Sequence, residues 1–318
     1  MFFNLCKSFP MKILIVCSSN SGSIAPFILE QGEALMGAGV LVEYFTIRGK
    51  GITGYLGNYK HLHTKIKAFN PDIIHAHYGL SGLLANLQRK VPVITTYHGS
   101  DINNAWIFRF SRLCMMLSAH NIFVSSKNQT TSGLTHNQSL IPCGVDINVF
   151  SPIDKELARK EMGMDNAFTY ILFAGAFQNN VKNAALAKAA VADIPKVTLL
   201  ELKDYTREQV ALLMNAVDVA LLTSFTEGSP QFVKEAMACN CPVVSVPVGD
   251  VPEMIRGVEG CYISTYEPED VAEKIRLVLA AGKHTEGRTR ILDLKMDSES
   301  VARRILEVYN TFYPKPFR

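Results

Sequence analysis

The chain has 318 residues, 48% hydrophobic and 19% charged, the composition of a globular protein long enough for two domains. A net charge of +3 is too small to point to nucleic acid, and no run approaches the ~18 apolar residues of a membrane span. Seven scattered cysteines, an odd number and mostly inside apolar segments, read as reduced thiols of a cytoplasmic protein rather than as a disulfide framework.

Residues 1–10 are too short and too interrupted for a signal peptide, while Met11-Lys12-Ile13-Leu14-Ile15-Val16 reads as the opening of an α/β domain. The first ten residues are therefore expected to be a loose extension, or Met11 the native start. Short β-branched runs then alternate with helical patterns. Strands are predicted at 12–17, 41–47, 73–76, 93–96, 121–124 and 139–141, with helices at 25–36 and 64–69 among them. Gly37-Ala38-Gly39 lies at the far end of the first helix and reads as its C-cap, not as a dinucleotide loop. The glycosylation sequons at Asn128 and Asn137 are read as chance. Ile141-Pro142-Cys143-Gly144-Val145-Asp146, followed by Phe150-Ser151-Pro152, marks a hinge. The pattern restarts with strands predicted at 170–174, 196–200, 218–222, 242–246 and 260–263, and helices at 184–192, 270–279 and 298–313. Alternation of this kind predicts parallel strands with crossover helices. The expected fold class is α/β, with two doubly wound Rossmann-like domains at 11–150 and 151–297, and a closing segment at 298–318. Ligands of such sheets bind at the carboxyl ends of strands, here in a cleft between the domains.

Four strand-end segments carry candidate chemistry. Residues 18–23 hold small side chains and Gly22, which lets a backbone approach a phosphate. His98-Gly99-Ser100-Asp101 puts a histidine and an acid on a loop. Lys182-Asn183 is predicted to open a helix, where a lysine opposes the helix dipole unless an anion sits there too. Residues 226–255 place Glu227 and Glu235 around one helix start, with Ser229 as cap and Pro230 at the first helical position. The N–H groups near Ser229, Gln231 and Phe232 would face a bound anion, and the carboxylates would accept bonds from hydroxyls. Each segment also has a plain structural account: a βα turn, a core histidine, a solvated lysine, glutamates at a helix dipole. His75-Ala76-His77 puts two imidazoles on one strand face without a third ligand, and Cys239 and Cys241 lack a second pair. Both are read as packing, and no metal is expected.

In combination, these residues resemble the retaining glycosyltransferases of family 4. Glu227 and Glu235 have the Glu-x7-Glu spacing, continued by Ala236-Met237-Ala238-Cys239 and Pro242-Val243-Val244. Residues 248–253, 141–146, 73–77 and 98–101 are similar to further motifs of that family. The resemblance implies a GT-B fold, with a C-terminal helix crossing back to the first domain. It implies a nucleotide-diphosphate sugar donor on the second domain and no other cofactor. It assigns Glu235 to the donor ribose, Glu227 with Gly228 to the transferred sugar, Lys182 to the diphosphate, Gly22 to the phosphates and His98 to the reacting centre. Asp101 and Asp146 are further candidates within the motifs. The acceptor would be a sugar or lipid-linked hydroxyl, in cell-envelope polysaccharide or glycolipid synthesis. An epimerase or phosphorylase on the same fold, or a non-catalytic subunit that binds nucleotide sugar, is the alternative. Two departures stand out: Ala176 where an arginine is frequent, and Gly228-Ser229-Pro230 after the first glutamate. A basic face with Arg48, Lys50, Lys60, Lys65 and Lys67, interleaved with Tyr55 and Tyr59, is either solvated or suited to peripheral contact with an anionic membrane.

Overall fold

Five consecutive apolar residues, Ile13–Cys17, are fully buried because the strand that holds them, β1 (Lys12–Ser18), is covered on both faces. A computed structural model of the chain describes residues 10–282 and 284–313, so the expectations for residues 1–9 and beyond 313 lie outside the described residues. The chain divides into two units.

The first unit comprises, of the described residues, 10–124, 128–141 and 299–313. Its sheet is formed by β1, β2 (Leu41–Ile47), β3 (Ile73–His77), β4 (Val93–Tyr97), β5 (His120–Phe123) and β6 (Gln138–Leu140), in the order β2-β1-β3-β4-β5-β6. All pairs are parallel, with Ile13 of β1 opposite Val42 on one side and Ile73 on the other. The order reverses between β1 and β3, so the loops after β1, β3 and β4 open side by side. The helix Ser298–Asn310 lays Val301, Ala302, Ile305, Val308 and Tyr309 into the core formed with Ile13, Ile15, Ile73 and Ile94, which is the apolar stripe its 3.6-residue period dictates. Asn128 is fully buried, so that sequon is not presented to solvent.

The second unit comprises Ser125–Lys127 and Pro142–Ser298. Its sheet holds β7 (Thr169–Phe173), β8 (Val197–Glu201), β9 (Val219–Leu222), β10 (Val243–Ser245) and β11 (Tyr262–Ile263), all parallel, in the order β11-β10-β9-β7-β8. The hinge motif is part of this unit: Val145 exchanges bonds with Met296 and Ser298, and Phe150 lies in the core. The structure therefore divides at 141/142, where the sequence suggested 150. Among the described residues, no helix is long and apolar enough to cross a membrane, and the six cysteines described are buried and free.

Candidate functional site

The order of the second sheet turns around between β7 and β9, where Phe173 lies opposite Leu221. The loops that leave these neighbouring strands carry the candidate residues. After β7, Gly175 adopts φ +147° and lies against the Lys182 side chain, where an added Cβ would come within 3.2 Å of Cγ. Lys182 does not open the next helix. It ends a short 3-10 turn, Asn180–Lys182, and Asn183 takes a left-handed conformation before the helix Ala184–Val191 begins. The carbonyls of Lys182 and Asn183 accept bonds from the Thr223 hydroxyl, at 2.9 and 3.1 Å, which ties this turn to the loop after β9. Lys182 Nζ then donates to Glu227 Oε1 at 2.7 Å, with the lysine and glutamate side chains 22% and 17% exposed.

Next to Glu227 two backbone segments meet closely: a Cβ on Gly249 would stand 2.5 Å from the Gly228 carbonyl, and Gly249 has φ +60°. The helix Gln231–Ala238 starts at Pro230, and no side chain caps it. Ser229 was expected as the cap, but its hydroxyl instead donates to Asp250 Oδ2 at 2.6 Å. The first N–H groups of this helix thus have no side-chain partner at the cap, and the helix begins four residues along the chain from Glu227. Gln231 donates to the Gly144 carbonyl at 2.8 Å. The Phe232 ring lies in the core, which leaves only its backbone to face a ligand. Lys234, wholly buried, donates to the Cys143 carbonyl at 2.8 Å and to Gln231 Oε1 at 3.1 Å. Burial pulls the Lys234 ammonium below its ordinary range, and Asp250 is the first charge to oppose that. Asp146 turns inward on its own loop, accepting from the N–H groups of Asn148 and Val149.

Glu235 is almost fully buried, and its Oε1 accepts from Arg207 Nη1 at 2.7 Å. The Arg207 guanidinium also lies over the Phe150 ring, 4.5 Å from its centroid. Sequence reasoning missed Arg207. The signal was available: Thr206 and Gln209 form a capping box, and Arg207 occupies the first position of the helix Arg207–Ala216, where a cation opposes the dipole just as Lys182 was taken to.

In the first unit, Gly22 sits on the exposed loop after β1 with φ +106°, its N–H donating to the Ser19 carbonyl. Asp101 is buried and its oxygens accept from the N–H groups of Gly79, His98 and Gly99 at 3.0–3.1 Å, so it orders the loop around His98. The His98 ring is half-buried against Phe27, Tyr78 and His77. His75 and His77 are fully buried and stack 4.8 Å apart. The Tyr309 hydroxyl is 2.5 Å from His75 Nδ1, and Thr96 Oγ1 is 2.7 Å from Nε2. A tyrosine hydroxyl and the Gln31 amide both reach Nδ1, which assigns the proton to Nε2. His77 Nδ1 is 3.0 Å from His98 Nε2, and His77 Nε2 has no partner among the described residues. An unused lone pair costs less than an orphaned N–H, so His77 donates and His98 carries its proton on Nδ1. Among the described residues no group of three His, Cys, Asp or Glu side chains is arranged to hold a metal ion.

These imidazoles give the first unit a pH dependence. Burial lowers His75 to about 3, and burial first, then the charges of His75 and His98, hold His77 well below 6.5. The unfolded chain takes up both protons near 6.5 while the folded one does not, so stability falls as pH drops below that value. Asp101 works in the opposite sense: burial raises it to about 6 against the pull of its N–H donors, so its folded form gains a proton first. Between pH 7 and 5 His75 removes about 2 kcal/mol, His77 adds to that loss, and Asp101 returns about 1 kcal/mol, so the balance is a loss. Urea denaturation at the two pH values measures this. Equal stability at both, or the same slope with His75→Gln and His77→Gln in place, rules the histidines out as the cause.

Comparison with known proteins follows the same division. A model for Glycosyltransferase Family 4 matches residues 14–149, and one for Glycosyl transferases group 1 matches residues 171–281. The D-inositol 3-phosphate glycosyltransferase of Mycobacterium sp. (strain KMS) is 25% identical over 271 residues, 69% of this chain and 62% of that protein. The protein of the same name from Geodermatophilus obscurus is 27% identical over 267 residues, 66% of this chain and 59% of that protein. The chain thus spans about three-fifths of the length of the curated relatives it matches. Among solved structures, sucrose-phosphate synthase from Thermosynechococcus elongatus superposes with a TM-score of 0.81 at 18% identity, covering 96% of this chain and 99% of that one. Anabaena HepE in complex with UDP-glucose gives 0.74 at 19% identity, covering 95% and 100%.

Proposed function

We propose, for a chain that belongs to the family 4 glycosyltransferases and has the GT-B fold, that it moves a sugar from a nucleotide-diphosphate donor to an acceptor hydroxyl with retention at the anomeric carbon. The observation that carries this is the Lys182–Glu227 pair, 2.7 Å apart, beside an uncapped helix start at the carboxyl ends of β7 and β9. A cation and free N–H groups suit a diphosphate, and carboxylates suit the hydroxyls of a sugar and a ribose.

In the reaction, the bond from the anomeric carbon to the diphosphate oxygen breaks and a bond to the acceptor oxygen forms on the same face. The acceptor proton passes to the leaving phosphate oxygen, so no separate protein base is needed. Lys182 and the N–H groups leading into Gln231 take up the charge that develops on the diphosphate, which is stabilisation by groups already in place. Glu227 accepts from the transferred sugar and Glu235 from the ribose. Arg207, bonded to Glu235, holds that carboxylate in place for the ribose. His98, on the loop that Asp101 orders, would hold a sugar hydroxyl. The acceptor is expected to be a sugar or lipid-linked hydroxyl of a polysaccharide or glycolipid.

Since HepE has been seen with UDP-glucose, that donor leads the panel to test. A nucleoside diphosphate or its sugar should raise the melting temperature, and transfer to an acceptor should give a product whose anomeric configuration, read by NMR, equals that of the donor. Inversion would exclude the retaining course. Donor binding without transfer to any of a broad set of hydroxyl acceptors would favour a binding subunit.

A further inference from the structure

At the carboxyl end of the second unit's sheet, apolar side chains from three loops stand in solvent. Val181 follows β7, Phe225 follows β9 and Tyr266 follows β11, and they are 46%, 62% and 39% exposed. The Phe225 N–H donates to the Val181 carbonyl at 2.9 Å, which joins the first two loops. The Tyr266 hydroxyl donates to the carbonyl of buried Ser224 at 3.0 Å, which ties the third loop to the second. The Phe225 and Tyr266 rings lie 12° from parallel, with centroids 6.2 Å apart. Two rings braced by backbone contacts and left in water form a contact surface whose ordering cost is already met.

Position decides what covers them. Phe225 is two residues before Glu227, and its N–H is bonded to the residue before Lys182, so the platform is continuous with the candidate site. The helices that follow Val181 and Tyr266, Ala184–Val191 and Pro268–Ala281, pack together. The helices that hold Arg207 and Glu235 pack together as well. Right-handed crossovers to the two sides of β7 put these pairs on opposite faces of the sheet. A nucleotide whose ribose reaches Glu235 therefore carries its base away from the rings. Resting on the donor assignment above, we propose that Phe225 and Tyr266 are a stacking platform for a pyranose ring of a saccharide acceptor. One face of a pyranose presents axial C–H bonds, whose polarised hydrogens suit the negative face of an aromatic ring. The hydroxyls at the sugar's edge stay in water or reach exposed Asn180 and Glu267, the chain neighbours of Val181 and Tyr266.

Saturation-transfer NMR with cellotetraose, maltotetraose and galactotetraose, without donor, tests this. Irradiating the aromatic protons should mark the axial ring hydrogens of at least one saccharide more than its other hydrogens, and titration of that signal gives the affinity. Phe225→Ala and Tyr266→Ala should each weaken binding about 10-fold, while Phe225→Trp and Tyr266→Phe, which keep a ring, should hold it. Phe225→Ala should leave the melting temperature and the affinity for UDP at the parent's values, since the ring is exposed and faces away from the nucleotide. Binding of none of the three saccharides overturns the proposal. So does binding that both alanine variants leave intact, which places it elsewhere, and so does a 10-fold loss of UDP affinity in Phe225→Ala, which makes the rings a seat for the base. Saccharide bound on the rings by a chain that binds no nucleoside diphosphate would count against the transferase assignment and leave the platform standing.

Discussion

Lys182→Ala is expected to lower kcat/KM for donor by about 10³-fold or more, with most of the loss in kcat. The ammonium is 2.7 Å from Glu227 and only 22% exposed, so no other solvent-borne cation replaces it readily. Two costs add. A charge-assisted bond to the leaving diphosphate contributes about 1.5–3 kcal/mol, and a donor aimed at developing charge is typically worth 10²–10³ in rate. In addition, the variant leaves the Glu227 carboxylate facing an incoming dianion without its partner. Adding Glu227→Gln to Lys182→Ala should therefore recover donor affinity, measured by calorimetry, while turnover stays low. Lys182→Arg, which keeps the charge at a different reach, should fall between. Wild-type turnover in Lys182→Ala would end the assignment of this pair to the diphosphate. If the double variant binds donor no better than the single one, Glu227 exerts no repulsion there.

Lys234→Met is expected to cost the folded chain about 3–5 kcal/mol, measured by urea denaturation. The substitution keeps the volume and removes three donor positions. The Cys143 carbonyl and Gln231 Oε1 lose their partner, and Asp250, buried with one oxygen unpartnered among the described residues, loses the charge that favours its ionised form. Asp250→Asn in the Lys234→Met background should therefore return about 1–2 kcal/mol. A single variant within 1 kcal/mol of the parent would mean that these bonds hold nothing that water cannot. Since Gln231 also ties Gly144 to the start of the donor-side helix, the same variant should weaken nucleoside diphosphate binding without touching it directly.

All eleven strands stand within a residue or two of their predicted bounds, and covered ones such as β1, β7 and β9 read as nearly continuous apolar runs. The helix Ala105–Leu117 was not legible. Its outer face mixes Trp106, Leu113 and Met116 with Arg109 and Arg112, which blurs the boundary between an inner side and an outer one. In the candidate site, the residues that pair across loops were legible as types but not as partners. Glu227 and Lys182 are 45 positions apart, and only the neighbouring placement of β7 and β9 joins them. Ser229 was misread as a cap because propensity speaks for the local helix start, whereas Asp250, 21 residues on, offers a buried acceptor that wins. Arg207 stood out locally as a cation at a helix start, but that signal does not name Glu235, 28 positions on, as its partner.

The core of the first unit includes Val301, Ile305 and Tyr309, and the Tyr309–His75 contact spans 234 positions. During synthesis, the strands from β1 to β6 emerge long before this helix exists to cover them. The second unit, continuous apart from three residues, has all its strands and crossovers in hand first. Of the two units, the one that leaves the ribosome first is thus the one that closes last, and until then its apolar sheet face is a client for chaperones.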